Sequence, residues 1–307
     1  MDLSLTDDQS AILDALDALT RPYVSMPSDA HGFVLTSPAL DKELAEGGFL
    51  DVAFDPDLGP VTPALIVEKL ARLPYASEVA ASALIRPLLG EVARPVAIVD
   101  GERLEHPVRF LVPGATVLVL GVATVTSFTA TPADVRPVDS LYAYPMAMLT
   151  DRTDRDTLKH DLSPDALRTR WRIALAAEIA GLLGAAIDST VTYVGERKQF
   201  GRPIGTFQAL RHRLAEASIR ATGTRWLALK AAFSEDPGDA ALALSHAQES
   251  ATQIVYDLHQ FLAGMGMTLE HPLHLWTYRL KALSGDLGGG FTNAAFAASH
   301  AFAEAAE

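Results

Sequence analysis

The feature that most constrains this chain is an apolar stripe that begins near Pro164. Trp171, Leu175, Ile179, Leu182, Ile187, Val191 and Val194 keep one helical face apolar over many turns. Such a face is stable in water only when other elements cover it. The sequence supplies those elements next. Thr206 to Phe233 reads as a second long helix, Pro237-Gly238 breaks it, and Asp239 to Leu262 reads as a third. Pro272 to Leu283 and Phe291 to Ala305 give two more. Long helices on short connections pack antiparallel, so residues 151–307 are expected to form a helical bundle. Gly181 and Gly184 lie inside its first helix. A mid-helix glycine costs about 1 kcal/mol relative to alanine, so close backbone packing is expected there.

Upstream the character differs. Residues 1–92 are helix-like. Thr6 with Gln9 makes a capping box, and Ile12, Leu13, Leu16 and Leu19 follow at helical spacing. A Pro/Gly-rich stretch, Phe54 to Pro63, interrupts, and Leu65, Val67 and Leu70 resume the period. Residues 93–150 are rich in Val, Thr and Pro, and Arg94 to Gly101 reads as a strand entering a turn. Phe110 to Ala133 holds no charged residue and is long enough to span a bilayer. Pro113, Gly114 and Gly121 interrupt it, and its β-branched alternation predicts buried strands instead. Asp151 to Ser163 reads as a charged connector. The expected architecture is mainly α with a small β domain: an N-terminal helical domain (1–92), a reduced β domain (93–150) and a C-terminal four-helix bundle (151–307).

Charge and composition narrow the function. The 25 Lys and Arg against 38 Asp and Glu give a net charge of −13, which disfavours nucleic acid as a partner. The absence of cysteine removes thiol nucleophiles, disulfides and Cys-based metal sites, and fits a reducing cytoplasm. The opening Met1-Asp2-Leu3 run lacks the basic start of a signal peptide. A cytoplasmic protein without a membrane segment is expected. His271-x-x-His274 beside Glu270 does not match a zinc motif, because Pro272 interrupts the helix face. Gly-x-Ser-x-Gly and Walker A motifs are absent, and the Gly285–Gly290 run follows a helix rather than a strand.

The sharpest local signal joins the first two long helices: Arg197-Lys198-Gln199-Phe200-Gly201-Arg202-Pro203-Ile204, then Phe207-Gln208. It resembles the Arg-x-Gln-Phe-Gly-x-Pro-Ile and Phe-Gln signature of the acyl-CoA dehydrogenase family. The resemblance is strong from Arg168 to Met267 and weak across 93–150. In that family this loop reaches a flavin adenine dinucleotide (FAD) held mainly by a neighbouring subunit. Arg197 offers a planar charged fork suited to phosphate oxygens. Phe200 and Phe207 would pack against cofactor rings, Gln199 and Gln208 complete the motif, and Gly201 and Gly205 would let the turn approach a ligand. Gln260-Phe261-Leu262-Ala263-Gly264-Met265-Gly266 resembles the family's Gln-x-x-Gly-Gly-x-Gly. There Gln260 would hydrogen-bond the cofactor and Gly264 would admit its adenosine diphosphate. Ala263 stands where the family has its first glycine. The bland readings are a charged turn, with Arg197 paired to Glu196, and a glycine helix stop.

Other positions depart from the family. Its reaction needs a carboxylate base, usually glutamate. By count the two family positions fall on Leu287, with Asp286 adjacent, and on Trp171, with Glu178 further along the same helix. Asp286 would ordinarily be a solvated or capping loop residue, and Glu178 would ordinarily pair with an arginine in the bundle. The flavin-gripping segments of the β domain are not recognisable between Arg94 and Asp151. Together these departures resemble the shorter subunit of bacterial α2β2 dehydrogenases of steroid side chains. The resemblance implies no catalytic residue in this chain, a longer partner subunit carrying the glutamate, an acyl-CoA substrate and an electron-transfer-flavoprotein-type acceptor. Two readings stay open beside it. One is a self-sufficient homo-oligomeric flavoenzyme with Asp286 or Glu178 as a relocated base. The other is a non-catalytic scaffold that has lost FAD.

Overall fold

The computed structural model describes residues 4–28, 30, 32–150 and 155–304. Met1 to Leu3, the first four residues of the expected connector, and Ala305 at the expected end of the last helix lie outside the described residues.

The N-terminal zone holds α1 (Asp7–Thr20), α2 (Pro38–Glu46), α3 (Thr62–Ala71) and α4 (Val79–Leu84). The expected capping box opens α1: Gln9 N donates to Thr6 Oγ1 and Thr6 N to Gln9 Oε1, both at 3.1 Å. The β zone holds β1 (Val96–Asp100), β2 (Val108–Arg109), β3 (Thr116–Leu120), β4 (Val125–Thr129), β5 (Val135–Pro137), β6 (Met146–Leu149) and β7 (Leu158–His160). They form a four-stranded sheet, β1-β3-β4-β7, and a three-stranded sheet, β2-β6-β5. The charge-free stretch forms β3 and β4, an antiparallel pair with Val117 opposite Phe128, as its alternation predicts.

The stretch read as a connector contains β7, which pairs with the outer side of β4. Its Leu158 and Lys159 are exposed, so an edge strand of this kind carries no apolar alternation to reveal it. The β zone therefore reaches past residue 150.

The rest is helical: α5 (Pro164–Glu196), a small hairpin of β8 (Lys198–Gln199) and β9 (Arg202–Pro203), then α6 (Gln208–Ser234), α7 (Pro237–Leu262), α8 (Leu273–Leu283) and α9 (Gly289–Glu304). Ser163 caps α5 by accepting from Ala166 N at 3.0 Å. This helix is the axis of the molecule, packed by α6, α7 and α8 on one side and by α3 and α4 on the other. It is long and apolar enough to cross a bilayer, but most of that surface is buried inside the protein. Its middle, from Trp171 to Ile187, is buried almost all round rather than along one stripe. The difference arises because α3 covers the face that the bundle leaves open. Gly181 packs against the α3 backbone at this crossing, as its expense in a helix leads one to expect, whereas Gly184 meets the Arg72 side chain instead.

Candidate functional site

The signature loop is a β-hairpin at the far end of α5. Arg197 leaves the helix there, and its N–H closes the last turn on Tyr193 O at 2.8 Å. Gln199 pairs with Arg202 across the strands, leaving Phe200 (φ 53°) and Gly201 (φ 79°) as a two-residue turn. Two-residue hairpins favour positive φ at both central positions. Gly201 adopts it freely, whereas a non-glycine such as Phe200 is held there at a cost of about 1 kcal/mol. The Phe200 side chain is 90 % exposed. Its ring meets Phe207 edge-on at 6.0 Å, and the Arg202 guanidinium lies 4.2 Å from the Phe207 ring centre.

Arg197, Gln199 and Gln208 are all exposed. Arg197 pairs with neither Glu196 nor any other acid among the described residues. Gln208 Nε2 lies 3.3 Å from His212 Nε2. Gly205 is packed on its inner side. A side chain there would meet Val194 O at 3.1 Å, so this glycine lets the hairpin lie against the protein's own helix.

The second segment ends α7. Gln260 and Gly264 are exposed, and a Cβ on Gly264 would meet only open space. The tight position is Ala263, at φ 48° and ψ −128°, a conformation suited to glycine. The backbone thus keeps the shape that a glycine would favour. Because the helices run antiparallel, the end of α5, the start of α6 and the end of α7 share one end of the bundle. Tyr193 and His271, ring centres 5.5 Å apart, join this end to the start of α8. His274 is engaged locally, with Nδ1 at 2.9 Å from His271 O and Nε2 at 3.2 Å from Gly32 O. All seven expected cofactor contacts (Arg197, Gln199, Phe200, Phe207, Gln208, Gln260, Gly264) therefore gather at one end. Arg197 and the three glutamines there are exposed hydrogen-bonding groups, and the Phe200–Phe207 pair lies beside them.

Trp171 and Leu287, the positions reached by counting from the family's bases, both line a partly open cavity of about 290 Å³ between α4, β1, β2 and α5. Glu178, two turns from Trp171, and Asp286 line it as well. Both carboxylates bind one arginine from the small sheet. Arg109 Nη1 donates to Glu178 Oε2 at 3.3 Å, and Nη2 donates to Asp286 Oδ2 at 3.1 Å. Tyr144 donates its hydroxyl to Glu178 Oε1 at 2.6 Å, and its ring lies 5.0 Å from the Arg109 guanidinium. Glu178 does pair with an arginine, but one from the β zone rather than the bundle. Asp286 is an ion-paired cavity residue rather than a solvated loop aspartate.

The electrostatics follow from this geometry. Burial opposes the Arg109 charge, but Glu178 and Asp286 outweigh it and hold its guanidinium firmly protonated. Burial raises the Tyr144 hydroxyl, and the Glu178 charge adds to the rise. Burial also raises the Asp286 carboxyl; Arg109 pulls it down and Glu178 pushes it up again. A buried ion pair of this kind costs desolvation that its partners only partly repay, so losing one partner is strongly destabilising.

The sequence of residues 169–293 matches the acyl-CoA dehydrogenase C-terminal domain. The match falls within the helical bundle. It includes Trp171, Glu178, the hairpin, Gln260, Gly264 and Asp286. Among curated relatives, acyl-CoA dehydrogenase FadE34 of Mycobacterium tuberculosis is 38 % identical over 122 residues, 38 % of this chain. The match spans only 17 % of that relative's length. The whole chain superposes on the ChsE4-ChsE5 complex from Mycobacterium tuberculosis with a TM-score of 0.73 at 18 % identity, covering 100 % of this chain and 99 % of that one. It also superposes on the Tcur3481-Tcur3483 steroid ACAD G363A variant with a TM-score of 0.72 at 22 % identity, covering 97 % and 100 %. The complete chain therefore has the acyl-CoA dehydrogenase fold.

Arg109 and Tyr144 escaped the sequence reading. The one available signal was Arg109 itself, a charge between Val108 and Phe110 at the edge of the apolar zone.

Proposed function

We propose that this chain is one subunit of a flavin-dependent acyl-CoA dehydrogenase, completing an FAD site at a subunit interface. The observation that carries this reading is the hairpin. Arg197, Gln199, Phe200 and Gln208 are exposed there, and none of them lines the cavity that holds Glu178 and Asp286. When bound, FAD supplies the oxidising flavin of the family's α,β-dehydrogenation of acyl-CoA thioesters. Arg197 would hold phosphate, while Gln199, Gln208 and Gln260 would donate to the cofactor edge, with Phe200 and Phe207 against its rings and Gly264 leaving room for the adenosine diphosphate.

A longer partner subunit then carries the catalytic glutamate, in an α2β2 assembly. Trp171 and Leu287 at the two counted base positions support this, as does the commitment of both nearby carboxylates to Arg109. A bulky, steroid-derived acyl group fits the steroid ACAD neighbour. We further place the protein in the cytoplasm, with an electron-transfer-flavoprotein-type acceptor.

The test is the flavin spectrum of the chain purified alone and co-expressed with a longer acyl-CoA dehydrogenase subunit. Flavin retained only by the pair is expected, with Arg197→Ala reducing it. A second reading has one specific observation behind it: the raised Asp286 carboxyl inside the cavity. If the lone chain is yellow, and acyl-CoA bleaches it unless Asp286 is replaced by Asn, the chain is a self-sufficient homo-oligomer and the first reading fails. Flavin in neither preparation leaves the scaffold.

A further inference from the structure

The turn between α8 and α9 is bent into a conformation that its own sequence does not favour. Leu287 (φ 52°), Gly288 (φ 84°) and Gly289 (φ 76°) are left-handed in succession. Leu287 alone costs about 1 kcal/mol there. The surroundings must hold the turn, and they do so from two sides. On the cavity side Asp286 is tied to Arg109. On the bundle side Gln248 Nε2 donates to Leu283 O at 2.9 Å and to Asp286 O at 3.0 Å.

The second tether continues into the last helix. Asn293, fully buried on α9, donates from Nδ2 to Gly289 O at 2.9 Å and to Gln248 Oε1 at 3.3 Å. Its Oδ1 accepts from Arg172 Nε at 2.9 Å. One hydrogen-bonded path thus runs from the cavity arginine through the turn and Gln248 to Asn293. Fully satisfied buried polar paths of this kind rigidify the elements they join, and losing one member leaves the next unpaired at a cost. The path ends on a helix with an exposed outer face, where Phe291 is 85 % and Phe302 is 77 % exposed.

We propose that the Arg109–Asp286 ion pair is a latch on the α8–α9 turn. Closed, it holds the turn against the cavity and fixes α9 through Gln248 and Asn293. Released, it frees the turn and loosens the first turns of α9, so the outer surface reports the state of the cavity. The inference stands on this chain alone and does not require the flavin reading.

Hydrogen exchange on the full chain, read by mass spectrometry, tests it. Asp286→Ala should speed exchange across residues 284–296 by about tenfold or more and leave α6 unchanged. Arg109→Lys, which keeps the charge but not the two-pronged fork, should act in the same direction if Asp286→Ala folds poorly. In an Asn293→Ala background, Asp286→Ala should still free the turn but add nothing to exchange in α9. Unchanged exchange in α9 on breaking the ion pair overturns the proposal. So does a rise spread evenly over the whole chain, or full additivity with Asn293→Ala.

Discussion

The main chain of Gly181 in α5 rests directly against the carbonyl oxygen of Glu68 in α3, with no room for a side chain between them. The same Glu68 side chain binds Arg225 of α6, its Oε2 accepting from Nε at 2.9 Å. Three helices from two zones of the sequence meet at this crossing. Gly181→Ala must push two backbones apart, and a loss of about 2–3 kcal/mol is expected from urea denaturation. Gly184→Ala meets only the mobile end of Arg72 and should cost less. Equal losses at the two positions would contradict this account of the crossing.

Ala263 carries the opposite prediction. Its positive φ suits glycine, and the methyl contributes nothing evident in return. Ala263→Gly should therefore stabilise the chain by about 1 kcal/mol, despite the greater freedom of glycine in the unfolded state. A lower denaturation midpoint for this variant would show that the alanine packs usefully.

Stability against pH should show two opposed slopes. Burial raises the Glu78 carboxyl from 4.5 to about 7, against Arg94, Ser82 and the Val96 amide. The folded state then holds a proton that the unfolded state releases, so stability falls as pH rises across that window. The full effect is about 3 kcal/mol. Burial lowers His271 from 6.5 to about 4, with His274 adding to the drop. That contribution is present above 6.5 and is lost as pH falls. It is the smaller of the two, because His271 is only half-buried and solvent screens it. Relative to wild type, Glu78→Gln should gain stability with rising pH between 5 and 7, by up to about 1.4 kcal/mol per unit. His271→Gln should lose it. Denaturation series at several pH values decide this, and curves parallel to wild type would remove both assignments.

The hairpin should matter to binding and not to folding. Phe200→Ala and Arg197→Ala remove exposed groups, so stability should change by less than about 0.5 kcal/mol. In the assembled pair each should weaken flavin retention by about tenfold or more, the range of an aromatic or arginine anchor. Flavin titration by fluorescence quenching measures it. Full retention in both variants would remove the hairpin from the cofactor site.

What the sequence made legible was what is local. The capping box at Thr6, the break at Pro237 and the expense of Gly181 each reveal themselves within a few residues. So does the hairpin, whose Gly201 and strand-flanked turn are contiguous. The cavity cluster was hidden for the opposite reason. Arg109 lies 69 residues from Glu178 and 177 from Asp286, and nothing local to any of them announces the others. Counting from family positions led to Trp171 and Leu287, which line one cavity, but the arginine between the two neighbouring acids needed the tertiary fold. The strand β7 was hidden because an exposed edge strand looks like a linker.

The single helix α5 sets a distance as well as a core. Glu178 and Arg197 are 19 residues apart on it, which at the rise of an α-helix is about 28 Å. The helix works as a ruler with a cavity near one mark and a hairpin at the other. A ligand in the cavity and a ligand on the hairpin would therefore be held by one rigid element at a fixed separation.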